Sequence, residues 1–142
     1  MYIRMYVSVY VCMHGCMYVI LGATQLRYLT IIGAPNLVDF SVSLLPDSAL
    51  ISIKLFDTGI TRLENDFLEC ANVSSVLNLE IRGANFTYIQ PNFFSVFPNL
   101  LTLNVISNTF SLEKTEEKLF TTTSPLRKLV LRDNDFSGEL YY

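Results

Sequence analysis

The sequence predicts a stacked repeat fold, a solenoid in which every unit contributes one short strand. Three observations carry this expectation. Leu50, Ile53, Leu55, Ile60 and Leu63 recur as Val76, Leu79, Ile81, Phe86 and Ile89, and the first four recur again as Leu100, Leu103, Val105 and Phe110 and as Leu126, Leu129, Leu131 and Phe136. With a weaker copy at Leu26, Leu29 and Ile31, the units begin at 26, 50, 76, 100 and 126, in steps of 24, 26, 24 and 26 residues. Self-similarity at such a period marks stacked units that bury a shared core. Each unit also ends its apolar-x-x-apolar-x-apolar spacing in alternation, as in Ile53-Lys54-Leu55, which requires a strand with one buried face.

Ahead of the repeats, residues 1–23 are a low-complexity apolar segment. Residues 1–20 read MYIR-MYVS-VYVC-MHGC-MYVI, a four-residue period that a tetranucleotide DNA repeat would encode. A signal peptide is the rival reading, with Arg4 as the charged flank, Met5 to Ile20 as the apolar run and Leu21-Gly22-Ala23 as the cleavage site. A membrane anchor over residues 5–23 is a third, near the minimum spanning length and interrupted by His14 and Gly15. The Tyr and β-branched content also permits an extra strand.

Residues 24–142 are read as the repeat domain. After each strand, the next buried position waits five residues, as from Leu55 to Ile60, so the chain must turn between them. The turn carries Asn108 and Asn134 in two units, Thr58 in one, and Ala34 and Ala84 in two. Asn there can bond the backbone of neighbouring turns. Thr is expected to do part of this and Ala none. In the return halves, Phe67 and Phe93 occupy equivalent positions, with Cys70 and Val96 three residues later. The stretch SLEKTEEKLF (111–120) predicts a short helix capped by Ser111. Pro98 and Pro125 impose an extended entry to the strands that follow. A solenoid needs polar capping units, and none is legible before Leu26 or after the fifth turn, so an uncapped fragment is expected.

The stretches LRKLVLRDNDF (126–136) and LLTLNVISNTF (100–110) match the pattern L-x-x-L-x-L-x-x-N-x-L, allowing Val and Phe for Leu. LISIKLFDTGI (50–60) and VLNLEIRGANF (76–86) depart from it only at the Asn, and LRYLTIIGAPN (26–36) keeps the strand positions before losing phase. Over about residues 26–140 the chain therefore resembles the leucine-rich repeat family. The resemblance implies an α/β-type repeat fold, with a parallel β-sheet on the concave face and an irregular or short-helical convex side. It also implies ligand contacts from the residues between the buried strand positions. Transferred to this chain, these form columns across the strands. Phe56, Arg82, Ile106 and Arg132 alternate apolar and guanidinium groups in one column, and Lys54 and Glu80 stand side by side in the next. Arg82 is placed to stack on Phe56. Against this stands ordinary packing of an exposed sheet face.

Composition narrows the function classes. Net charge is −3 with scattered Lys and Arg, which leaves no electrostatic footprint for nucleic acid. Hydrophobic residues make up 51% and mean hydropathy is +0.36, as a repeat core plus an apolar leader would give. No nucleotide loop or catalytic elbow occurs, and the one histidine, His14, lies in the leader; no enzyme activity and no cofactor are expected. Cys12, His14 and Cys16 lack the further ligand a metal site needs. Asp133-x-Asp135-x-Ser137-Gly138 resembles the start of a calcium loop whose closing Glu would fall beyond Tyr142. Two glycosylation sequons begin at Asn72 and Asn85.

These features lead to one expectation: a protein-binding module, part of a secreted or cell-surface receptor-type repeat protein. Its partner would be another protein met on the concave sheet. Two alternatives stay open: an intracellular scaffold or adaptor, cytoplasmic in location, and a truncated product with no function of its own. Membrane contact follows only if residues 5–23 are an uncleaved anchor.

Overall fold

In the computed structural model the leading element is a six-stranded, all-parallel sheet. The structure describes residues 6–10, 17–18, 27–36, 40–41, 49–64, 73–84, 86, 88–90, 92–110 and 125–136. The main strands are β1 (Tyr6–Tyr10), β3 (Tyr28–Ala34), β5 (Ser52–Thr58), β7 (Asn78–Arg82), β9 (Thr102–Ile106) and β11 (Lys128–Val130), in that spatial order. Short strands β2 (Met17–Tyr18), β4 (Phe40–Ser41), β6 (Arg62–Leu63), β8 (Tyr88–Ile89), β10 (Thr109–Phe110) and β12 (Asp135–Phe136) form three parallel pairs, β2–β4, β6–β8 and β10–β12. Helical structure among the described residues is confined to short 3-10 turns, Val73–Ser75 and Phe93–Val96.

Each main strand pairs with the same position of the next unit. Leu29, Ile53, Leu79, Leu103 and Leu129 are register partners in succession, as are Ile31, Leu55, Ile81 and Val105. All of these except Leu129 are buried, together with Leu50, Val76, Leu100, Ile60, Phe86, Leu63 and Ile89. The apolar period thus becomes a column of side chains one strand apart, close to 4.8 Å in any parallel sheet. The weak first unit stays in register further than its sequence suggests, with Ala34 opposite Thr58. Entry to each strand repeats too: the N–H groups of Ile51, Leu77, Leu101 and Arg127 donate to the carbonyls of Arg27, Ile51, Leu77 and Leu101, at 2.7, 2.9, 2.9 and 2.9 Å.

The last unit departs from expectation. Leu126 and Leu131 are only partly buried, and Leu129 is 42% exposed. Leu129 lies on the final strand of the sheet among the described residues, so one of its flanks has no strand against it. Strand β1 is the extra strand that the composition of the N-terminal segment permits; its Val7 and Val9 are the register partners of Leu29 and Ile31. The expected helix over 111–120, the expected burial of Phe67 and Cys70, and the N-terminal cysteines with His14 concern residues outside the described ones.

Every unit turns through the same backbone conformation at the residue after its strand core. Gly33, Asp57, Gly83, Ser107 and Asp133 all have positive φ, at 68, 51, 63, 55 and 57°. This left-handed region is cheap for Gly and tolerated by short polar residues. At Gly83 a Cβ would in addition press on the exposed Asp57 carboxylate, which would have to swing aside.

Polar ladders close the backbone that stacking buries. Asn108 Oδ1 accepts the Ala84 N–H at 2.8 Å, and its Nδ2 donates to the Ile106 and Ile81 carbonyls at 3.0 and 3.4 Å. Asn134 repeats the pattern one unit on, accepting the Asn108 N–H at 2.9 Å and donating to the Val105 carbonyl at 2.7 Å. Thr58 does not share this role: its Oγ1 is buried without a hydrogen-bond partner among the described residues. The hydroxyl sits one bond from Cβ and falls short of the backbone that an Asn amide reaches. On the return side, Asn99 Nδ2 donates to the Ser74 carbonyl at 2.7 Å and Ser75 Oγ to the Leu50 carbonyl at 2.9 Å.

Candidate functional site

Residues that alternate with the core positions stand on the opposite face of the main sheet. Register places Ile32, Phe56, Arg82 and Ile106 in one column and Thr30, Lys54, Glu80 and Asn104 in the adjacent one. Arg132 follows the last strand, and its carbonyl accepts the Ser107 N–H at 3.1 Å.

Four of the expected residues form one cluster. The Arg82 guanidinium lies over the Phe56 ring, 5.3 Å from its centroid. Its Nε donates to Glu80 Oε1 at 2.6 Å, and Nη2 pairs with the same oxygen. Lys54 Nζ stands 3.7 Å from Glu80 Oε2. The Glu80 side chain is 12% exposed beneath these two cations, which are themselves 46% (Lys54) and 47% (Arg82) exposed. Sheet spacing makes this possible, because register partners on adjacent strands bring side chains within reach. What the cluster achieves is orientation: the ring and the carboxylate hold the guanidinium plane in place.

Two expected residues lie apart from this cluster. Ile106 is buried at 7% exposure, which corrects the expectation of an accessible column residue. Its register partner on the neighbouring strand is Arg82. Arg132 is exposed and pairs with Asp133, 3.1 Å away. The sequons at Asn72 and Asn85 fall outside the described residues.

Three further features of this region stand beside the expected contact residues, two of them, Ile32 and Asn104, at outward column positions that the sequence also marks. Ile32 is exposed next to Phe56 in the same column. Asn104, beside Glu80, carries a buried Oδ1 with no partner among the described residues. On the flank, Arg62 repeats the arginine–carboxylate–aromatic arrangement: its Nε donates to Glu64 at 2.6 Å and its guanidinium lies 4.6 Å from the Tyr88 ring centroid. The spacing Arg62-x-Glu64 and the register Arg62↔Tyr88 carried that signal.

Among the described residues, no group of three His, Cys, Asp or Glu side chains could hold a metal ion, and no helix is long and apolar enough to cross a membrane. Comparison with known proteins returns no matching family model, no matching curated protein and no matching solved structure.

Proposed function

We propose that this chain is a protein-binding module of the leucine-rich repeat type, which meets its partner on the outward, concave face of the main sheet. The observation that carries the reading is the Phe56–Arg82–Glu80–Lys54 cluster, oriented by its own contacts yet half open to solvent. Arg and aromatic residues are enriched in protein interfaces, and a preorganised side chain loses less freedom on binding. The family reading is supported by the full motif in two units and its strand positions in all five, the in-register core columns and the Asn108–Asn134 ladder. The two sequons support an extracellular, receptor-type setting, which a glycosidase-sensitive mobility shift after expression in a eukaryotic secretory host would test.

Selection of twelve-residue peptides from a random display library on the immobilised full chain tests the binding face. Peptides that lose binding to a Phe56→Ala/Arg82→Ala variant, and keep it to Arg62→Ala, are expected. Recovery only of peptides indifferent to all three substitutions overturns the proposal.

A further inference from the structure

We propose that the partner segment is acidic, with a carboxylate seated on Arg82 and an adjacent apolar side chain lying against Phe56 and Ile32. This deepens the binding reading above and rests on it.

The outward strand positions and the residue just past the last strand carry four cations, Lys54, Arg82, Lys128 (register partner of Thr102) and Arg132, against the single carboxylate Glu80, in a chain whose net charge is −3. Glu80 is already engaged by Lys54 and Arg82 and is nearly covered, whereas both cations and Lys128 remain exposed. Two further carboxylates stand at the strand-end turns. Asp133 pairs with Arg132, and Asp57 is exposed at the rim. The face is therefore cationic where the strand columns lie, with an acidic margin along one edge.

Arg82 is the most specific element. Its Nε and one Nη2 hydrogen are taken by Glu80, which leaves the other N–H donors of the fork. A guanidinium held between a ring and a carboxylate is set for directional contact with a second carboxylate. Beside it, Ile32 and Phe56 supply exposed and half-buried apolar surface in the same column. Neighbouring column positions lie one strand apart, about 4.8 Å, so the apolar and acidic groups of the partner must be close in its chain.

Fluorescence titration of the full chain with two labelled twelve-residue peptides tests the proposal. One carries Asp and Glu around a central Phe, and the other carries Asn and Gln in their place. The acidic peptide should bind more tightly by about tenfold or more, the scale of one charge-assisted contact. It should weaken by a similar factor with Arg82→Glu and with Phe56→Ala, and weaken as salt is raised from 50 to 300 mM. Arg62→Glu, with the same local arrangement on the flank, should leave it unchanged. Circular dichroism checks that each variant is folded, and Lys128→Glu, at an exposed position, gives a second reading should Arg82→Glu unfold. Equal binding of the two peptides overturns the proposal, as does equal sensitivity to Arg62→Glu, or tighter binding of a twenty-nucleotide poly(dT) strand than of the acidic peptide. If library selection yields neutral or basic peptides that still depend on Phe56 and Arg82, the binding face stands and the acidic partner falls. If it yields none, the binding face itself falls.

Discussion

Asn108 reaches back one unit to accept the Ala84 backbone N–H on its side-chain oxygen, at 2.8 Å and fully buried. The same amide donates to the carbonyls of Ile81 and Ile106. One side chain thus satisfies backbone groups in two units. Removing it strands the Ala84 N–H in the interior, while the Ile106 carbonyl keeps the Gly83 N–H, and each buried unsatisfied group costs about 1–3 kcal/mol. Asn108→Ala should therefore lower unfolding stability by at least ~2 kcal/mol in urea titration. Asn108→Asp keeps the acceptor but loses the donor and buries a charge, so it should not restore the loss. A wild-type midpoint in Asn108→Ala would refute the role.

Thr58 occupies the equivalent turn with the opposite balance. Its hydroxyl is buried and unpaired among the described residues, so it contributes desolvation without a compensating bond. Thr58→Val removes the hydroxyl at nearly constant shape and should be neutral or stabilise by up to about 1 kcal/mol. A loss above that range would reveal a partner for the hydroxyl.

Gly83 and Asp57 share one corner of the sheet. An alanine at 83 would adopt φ near 63° and press its Cβ on the Asp57 carboxylate. Left-handed backbone costs an L-residue about 1–2 kcal/mol, and the collision adds to it. Thermal melts should show Gly83→Ala destabilised by roughly 2 kcal/mol. In an Asp57→Gly background the cost should shrink, because only the backbone term remains. An undiminished cost would place the strain elsewhere.

Leu55 and Leu129 hold equivalent strand faces in different settings. Leu55 is fully buried and Leu129 is 42% exposed. Leu55→Ala should cost about 3 kcal/mol or more, and Leu129→Ala under ~1 kcal/mol, since little of its burial is lost. Comparable losses would mean that Leu129 is covered in solution.

The core was legible in the sequence because a buried strand face has a fixed period. The repeats also guard one another against errors of phase: Ile53, Leu79 and Leu103 agree on the inward positions, and all three are buried. The Lys54–Glu80 and Phe56–Arg82 contacts followed from the same register. Burial of Ile106 did not, because its place in the outward column gave no sign of it. Exposure of Leu129 depends on what lies beside the strand. The shared handedness of the five turns was legible and was passed over: Gly33, Asp57, Gly83, Ser107 and Asp133 are small or polar residues in one column, which is the composition that conformation selects. The carboxylate pairing of Arg62 was also readable, two residues from Glu64.

Side-by-side pairing of each strand with only its immediate neighbours gives the molecule a gradient of protection. Asn78–Arg82 has at least two further strands on either side, whereas Lys128–Val130 has company on one side alone among the described residues. Opening such an array proceeds by fraying inward from a rim, because a peripheral strand breaks one interface and an interior one breaks two. Amide deuterium uptake should accordingly be slowest along Asn78–Arg82 and quicken outward toward Lys128–Val130, tracing the sheet as a clock rather than melting it at one stroke.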